Sequence, residues 1–269
     1  MRLMKSLGVC ALMVSVAACT TSPTGRSQLL MMNDQELDQM GAQAFQQYQQ
    51  ELPSVNGAPL EYVQCITRNI VAVLPPEERD QNWQVKVFKS DDANAFALPG
   101  GYVGVNTGLL KVATNQDQVA TVIGHEIGHV LAHHANERAS TQGLTQLGMS
   151  VGGSLLGAGG GAGSDAAMAA MGMGAQYGIL LPFSRSHESE ADTIGLDLMA
   201  NAGFDPRASI DLWHNMAASG GGQPPEWMST HPSNSGRISG LEAHMSEAMA
   251  LYQQAQAAGR VPQCKAPSA

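Results

Sequence analysis

Apolar and polar residues are spaced so that the chain divides into short, mostly helical elements. Leu37, Met40, Ala44, Phe45 and Tyr48 recur at helical spacing. They predict a helix opened by Asn33, with Glu36 three residues on as its capping partner. PSVNGAP breaks that helix, and Leu60, Val63, Thr67 and Ile70 mark a second one ending before Pro75 and Pro76. WQVKVF (83–88) alternates and predicts a strand. NAFAL, the turn PGG and YVGVN (94–106) predict a hairpin, and GLL a short helical turn. Thr114, with Asp117 three residues on, opens a helix whose apolar face is Val119, Val122, Ile123, Ile127, Val130 and Leu131. Further helices are expected over 184–203, closed by Gly203, from FDP through Trp213, and over about 238–258, with 219–236 as loop. The class is α+β and predominantly helical, with a small sheet, and there is no internal repeat.

Residues 147–181 depart from this pattern. They are rich in Gly, Ala and Met and almost uncharged. The glycines of 157–164 and the charge of Asp165 argue against a membrane span, so a mobile loop with one or two soft helices is expected. Its apolar residues can pack beneath that loop or present a substrate or membrane surface.

The first residues read as an export signal. Arg2 and Lys5 precede LGVCALMVSVAA, an apolar stretch too short to span a bilayer, and VAAC places small residues before Cys19. This resembles a bacterial lipobox. The resemblance implies removal of residues 1–18, a lipid on Cys19 and a polar tether over 19–32, with 33–269 as the working domain. An ordinary signal peptide with an incidental cysteine is the alternative. Thr20, where an Asp would signal inner-membrane retention, favours the inner face of the outer membrane. Of the other cysteines, Cys10 leaves with the signal. Cys65 and Cys264 remain as a candidate disulfide in an oxidising compartment, or as two separate buried thiols.

Composition narrows the function. At 43% hydrophobic and 14% charged the chain can bury a real core, so disorder is a poor reading. Its net charge of −9 becomes more negative once Arg2 and Lys5 are removed, which argues against nucleic-acid binding.

The chemistry concentrates in GHEIGHVLAHH (124–134). His125 and His129 are one helical turn apart, so both rings leave the same face about 6 Å apart along the axis, a spacing zinc can bridge. Glu126, rotated by about 100°, is placed to act as general base on a metal-activated water. His133, about 12 Å from His125 along a continuous helix, and His134, turned away, are expected as polar surface or supporting groups. On the 184–203 helix, Glu188 can supply a third ligand, while Asp192 accepts a hydrogen bond from His125. Glu190 faces elsewhere. Taken alone, these three acids read better as solvated helix charges; with HEIGH in the same chain that becomes the weaker reading.

TGRSQL, NAFALPGG, YVGVNTGLL, VIGHEIGHV, SRSHESEAD and THPSNSGR occur in this order. Together they resemble the HtpX-like/CaaX-prenyl-protease family of gluzincin metallopeptidases, most of all its periplasmic lipoprotein members related to the mitochondrial Oma-type proteases. The transmembrane helices of HtpX and the tetratricopeptide extension of some relatives are missing. The resemblance implies a zincin-like fold and one zinc ion on His125, His129 and Glu188, with Glu126 as base and Asp192 behind the ligands. It also implies a His231–Arg237 element near the metal, with His231 stabilising an oxyanion or blocking the fourth zinc position at rest. An edge strand shaped by Asn94, Ala95, Phe96, Pro99 and Gly100 can pair with an extended substrate, or can be a purely structural hairpin. The expected activity is zinc-dependent endopeptidase action on misfolded or misassembled envelope proteins in the periplasm. The rival is a chaperone-like outer-membrane assembly factor.

Overall fold

The computed structural model describes residues 19–141, 143–145, 181–219, 231 and 236–267. The expected signal segment, nearly all of the Gly/Ala/Met-rich stretch and most of the expected 219–236 loop lie outside the described residues. Those described fall into two units, one drawn from 1–33 and 133–184, the other from 34–132 and 185–269.

In the first unit the expected tether is ordered chain. Strands β1 (Cys19–Thr21) and β2 (Ser27–Leu29) pair antiparallel, with Cys19 opposite Leu29. Arg26 donates to both carboxylate oxygens of Glu137, at 2.7 and 2.6 Å. Glu137 lies on helix α6 (134–141) and its side chain is fully buried. The Met31 N–H donates to Ser140 Oγ, and the Met32 N–H to Asn136 Oδ1. Local polarity led to the tether expectation; fixed partners more than a hundred residues away overrode it.

The second unit is built on a four-stranded sheet, ordered β3 (Ser54–Val55), β4 (Gln84–Phe88), β6 (Tyr102–Asn106), β5 (Ala95–Leu98). β4 and β6 run parallel; the other neighbours are antiparallel. Both faces are covered, so alternate residues enter two cores. Val87, Val103 and Val105 face the main core with Ile66 and Ile70 of α2 (Ala58–Val71) and Ile123 and Ile127 of α5 (Gln116–Leu131). Phe88, Phe96 and Tyr102 face the opposite way and pack against Phe45 of α1 (Asp34–Glu51). Gly104 makes room for this, since a Cβ there would lie 2.2 Å from the Phe96 ring. Met40, expected inward, is 52% exposed, and Gly41 takes the inward position against the Pro99 carbonyl.

Two short helices, α3 (Pro76–Arg79) and α4 (Leu109–Val112), lead into the sheet and into α5. α5 is capped by Asn115, not Thr114: Asn115 Oδ1 accepts from the Gln118 N–H at 2.9 Å. The Gln118 side chain returns to accept from the Thr114 N–H, which moves the cap by one residue.

Three helices follow: α7 (Leu181–Asn201), α8 (Ala208–Ser219) and α9 (Arg237–Ala257). α7 closes with Gly203 at φ +92, and the Phe204 N–H bonds the Met199 carbonyl, the expected left-handed stop. The chain after α9 is fixed on α5 by Gln116, which donates to the Pro262 carbonyl and accepts from the Cys264 N–H. The Cys65 and Cys264 sulfurs are 2.04 Å apart, at bonding distance. Among the described residues no helix is long and apolar enough to cross a membrane.

Candidate metal centre

α5 carries His125, Glu126 and His129, and it is buried nearly all round. Its glycines set how close α7 comes. A Cβ at Gly124 would lie 2.7 Å from the Gly195 carbonyl oxygen, and one at Gly195 would lie 2.6 Å from the His125 nitrogen. Backbone therefore meets backbone, and Glu188 and Asp192 of α7 come within reach of the α5 histidines.

One side-chain atom from each of His125, His129, Glu188 and His231 lies within 4.8 Å of the others. His125 Nε2 is 3.1 Å from His129 Nε2, 3.4 Å from Glu188 Oε2 and 3.3 Å from His231 Nδ1. Glu188 Oε1 is 3.5 Å from His129 Nε2 and 3.2 Å from His231 Nδ1. Metal bonds of about 2.0–2.1 Å in a tetrahedron put the ligand atoms about 3.3 Å apart. These separations are close to that edge length, with Glu188 meeting His125 through Oε2 and the other two histidines through Oε1. Hydrogen bonds do not explain them, because one imidazole nitrogen has a single proton or a single lone pair and cannot serve three partners. A central cation does, and the N/O donors suit zinc.

The surroundings hold the donors in place. Asp192 Oδ1 is 3.0 Å from His125 Nδ1, so it can fix the ring with Nε2 facing the cluster. Burial and the Arg237 guanidinium depress the His125 pKa, yet the Asp192 and Glu188 carboxylates outweigh them and raise it to about 9. Burial likewise opposes charge on Glu188, but hydrogen bonds from His125 and His231 hold its carboxyl far below the usual range. Glu126 is buried outside this donor set, with Oε1 3.5 Å from His231 Nε2. His231 therefore turns one nitrogen to the donors and the other to Glu126.

A sequence profile, Peptidase family M48, matches residues 58–245, which include every residue of the cluster. The chain belongs to peptidase family M48. It is 36% identical over 233 residues to the mitochondrial metalloendopeptidase OMA1 of Schizosaccharomyces pombe, covering 80% of this chain and 64% of the relative. It is 35% identical over 243 residues to OMA1 of Danio rerio, covering 85% and 50%. It is 33% identical over 158 residues to the beta-barrel assembly-enhancing protease of Yersinia pestis, covering 57% and 32%. The chain thus spans less than two thirds of these relatives. As an M48 member it has a zincin-like, predominantly helical fold and shares its family with relatives named as metalloendopeptidases.

Within this M48 fold the remaining expected residues fall as follows. Arg237, which the resemblance put near the metal, is buried behind the donors. It donates to Glu188 Oε2 at 3.0 Å and to Asp192 Oδ1 at 2.7 Å. β5 ends the sheet, as an edge strand must. The Asn106 N–H bonds the Asn94 carbonyl, so by alternation the main-chain groups of Ala95 and Ala97 point away from β6. Asn94 Oδ1 takes the Ala95 N–H, which leaves Ala97 as the open position. The Pro99–Gly100 turn packs on Gly41 and Asp38 of α1. α5 stops at Leu131, and His133 has φ 52, so the expectation of one continuous helix through both later histidines fails. His134 and Glu190 are buried at 2% and 5%, not solvated. Sequence reasoning missed Trp213, whose ring lies 4.3 Å from the Arg237 guanidinium carbon. It also missed the glycine contact of α5 and α7; glycines one turn apart at 124 and 128 are the signal that could have found it.

Proposed function

We propose that this M48 protease is a zinc endopeptidase of the periplasm, held by a lipid on Cys19 to the inner face of the outer membrane. Its proposed substrates are misfolded or misassembled envelope proteins. Supporting this reading are the lipobox-like start, the pairing of Cys65 with Cys264 and the bacterial relative named for β-barrel assembly. The observation that carries the chemistry is the donor set at tetrahedral edge distances with Glu126 beside it.

His125 Nε2, His129 Nε2 and a Glu188 oxygen would hold the ion. Zinc bound there would act as a Lewis acid toward a peptide carbonyl and toward water, whose pKa such centres lower to about 7. Glu126 takes the proton of the attacking water and passes it to the leaving amine. Asp192 keeps the His125 tautomer that presents Nε2. Ala97 offers a backbone donor and acceptor to an extended substrate, giving affinity with little sequence preference. Chelation is expected to abolish cleavage of an unfolded polypeptide, and equimolar zinc to restore it. Full activity in a preparation shown by elemental analysis to be metal-free would overturn the reading.

His231 closes the resting site: Nδ1 occupies the fourth donor position and Nε2 faces the base. His231→Ala is therefore expected to raise the initial cleavage rate at least about threefold by enlarging the competent fraction. A fall in rate would assign His231 to the oxyanion instead, and an unchanged rate rejects both roles.

A further inference from the structure

We propose that Trp213 is a positioning residue of the metal centre, acting through Arg237. The proposal rests on the zinc reading above. Arg237 and Trp213 are each only 5% exposed. The guanidinium carbon lies 4.3 Å from the centroid of the Trp213 ring. Arg237 Nη2 is also 3.0 Å from His125 Nδ1 and 3.1 Å from His125 Nε2. Near-equal distances to both ring nitrogens place Nη2 over the imidazole face, because in the ring plane the Cε1–H group would block it. The guanidinium thus meets both an indole ring and the imidazole face of a proposed zinc ligand.

Its nitrogens also reach both carboxylates of α7. Nη1 donates to Glu188 Oε2 at 3.0 Å and Nη2 to Asp192 Oδ1 at 2.7 Å. Nε adds an ion-pair contact to Asp192 Oδ2 at 2.6 Å. One cation therefore sets the spacing of the carboxylate that joins the donor set and the carboxylate that orients His125. That spacing depends on the tilt of the guanidinium plane. The carboxylates hold its edge but not its tilt, and a flat aromatic surface does, with tryptophan the strongest cation–π partner. α8 supplies no atom to the donor set. Its contribution is this ring, on a helix whose Leu212 and Met216 are fully buried. A tryptophan that merely filled the core would be replaceable by any side chain of similar apolar bulk.

The test is a zinc titration of the apoprotein against a competing chromophoric chelator, with the melting temperature of each apoprotein recorded alongside. Trp213→Leu is expected to weaken zinc binding about 10-fold or more, the loss typical when a partner behind a metal ligand is removed. Trp213→Phe, which keeps a π face, should stay within about threefold of wild type. In an Arg237→Gln background, Trp213→Leu should cost no further affinity. Unchanged zinc affinity in Trp213→Leu overturns the proposal and leaves the metal centre standing, as does an equal loss with and without Arg237. A lower apoprotein melting temperature with wild-type zinc affinity makes Trp213 structural only. A wild-type protein that takes up no zinc overturns the metal reading and this proposal with it.

Discussion

Glu126→Gln is expected to retain one zinc per chain and to cleave unfolded polypeptide at least about 10³-fold more slowly than wild type. The substitution keeps shape and volume, and it replaces none of the four residues of the donor cluster. It removes a buried carboxylate that lies beside those donors without joining them, the proposed acceptor and donor of the proton. Glu126 is 4% exposed, and its Oε1 faces the nitrogen that His231 turns away from the donors. A side chain merely completing a hydrogen bond there would be served as well by an amide. Cleavage assays paired with elemental analysis check the result. Equal cleavage by both proteins would end the assignment of the base. Client binding that survives in the inactive variant would show a holding activity alongside proteolysis.

Gly195→Ala is the second large effect, and it acts at a distance from the chemistry. Alanine is worth about 1 kcal/mol over glycine in a helix interior. Here its methyl group would lie 2.6 Å from the nitrogen of His125 and 2.7 Å from its Cα. Those are backbone atoms of a packed helix and cannot rotate away, so the clash wins and α7 must move off α5. Overpacking of this kind costs about 1–3 kcal/mol. The larger consequence is geometric: Glu188 and Asp192 ride on α7, and a shift of about 1 Å in a reacting constellation can cost 10²-fold in rate. Zinc affinity and kcat should fall together while the far-ultraviolet circular dichroism is retained. Gly240→Ala on α9 is the control, since nothing lies within 4 Å of a Cβ there. It should be neutral or stabilising.

The site was legible where it depended on helix phase alone. His125, Glu126 and His129 need one turn of helix, which the sequence specifies locally. Glu188 and Asp192 were separable from Glu190 by the same rule, although their meeting with α5 was not. That meeting depends on Gly124 and Gly195, and the gain from a missing side chain is visible only once both backbones are placed. The contact of Trp213 with Arg237 was hidden for the same reason: stacking between helices leaves no periodic trace. Errors of detail came from local rules losing to neighbours. Asn115 displaced Thr114 as the cap because Gln118 closes back onto the Thr114 N–H. Met40 lost the inward position to Gly41 because the Pro99 carbonyl needs the space. His133 left the helix, so the distance argument that set it apart from the metal applied to a helix that had already ended.

The most direct test of the account is a crystal structure of the zinc-loaded protein with anomalous scattering measured across the zinc edge. The account predicts one anomalous peak in the cluster, about 2.0–2.2 Å from His125 Nε2, His129 Nε2 and a Glu188 oxygen, with Asp192 on His125 Nδ1. A peak held by other residues, or no peak in a zinc-loaded and active preparation, would contradict it.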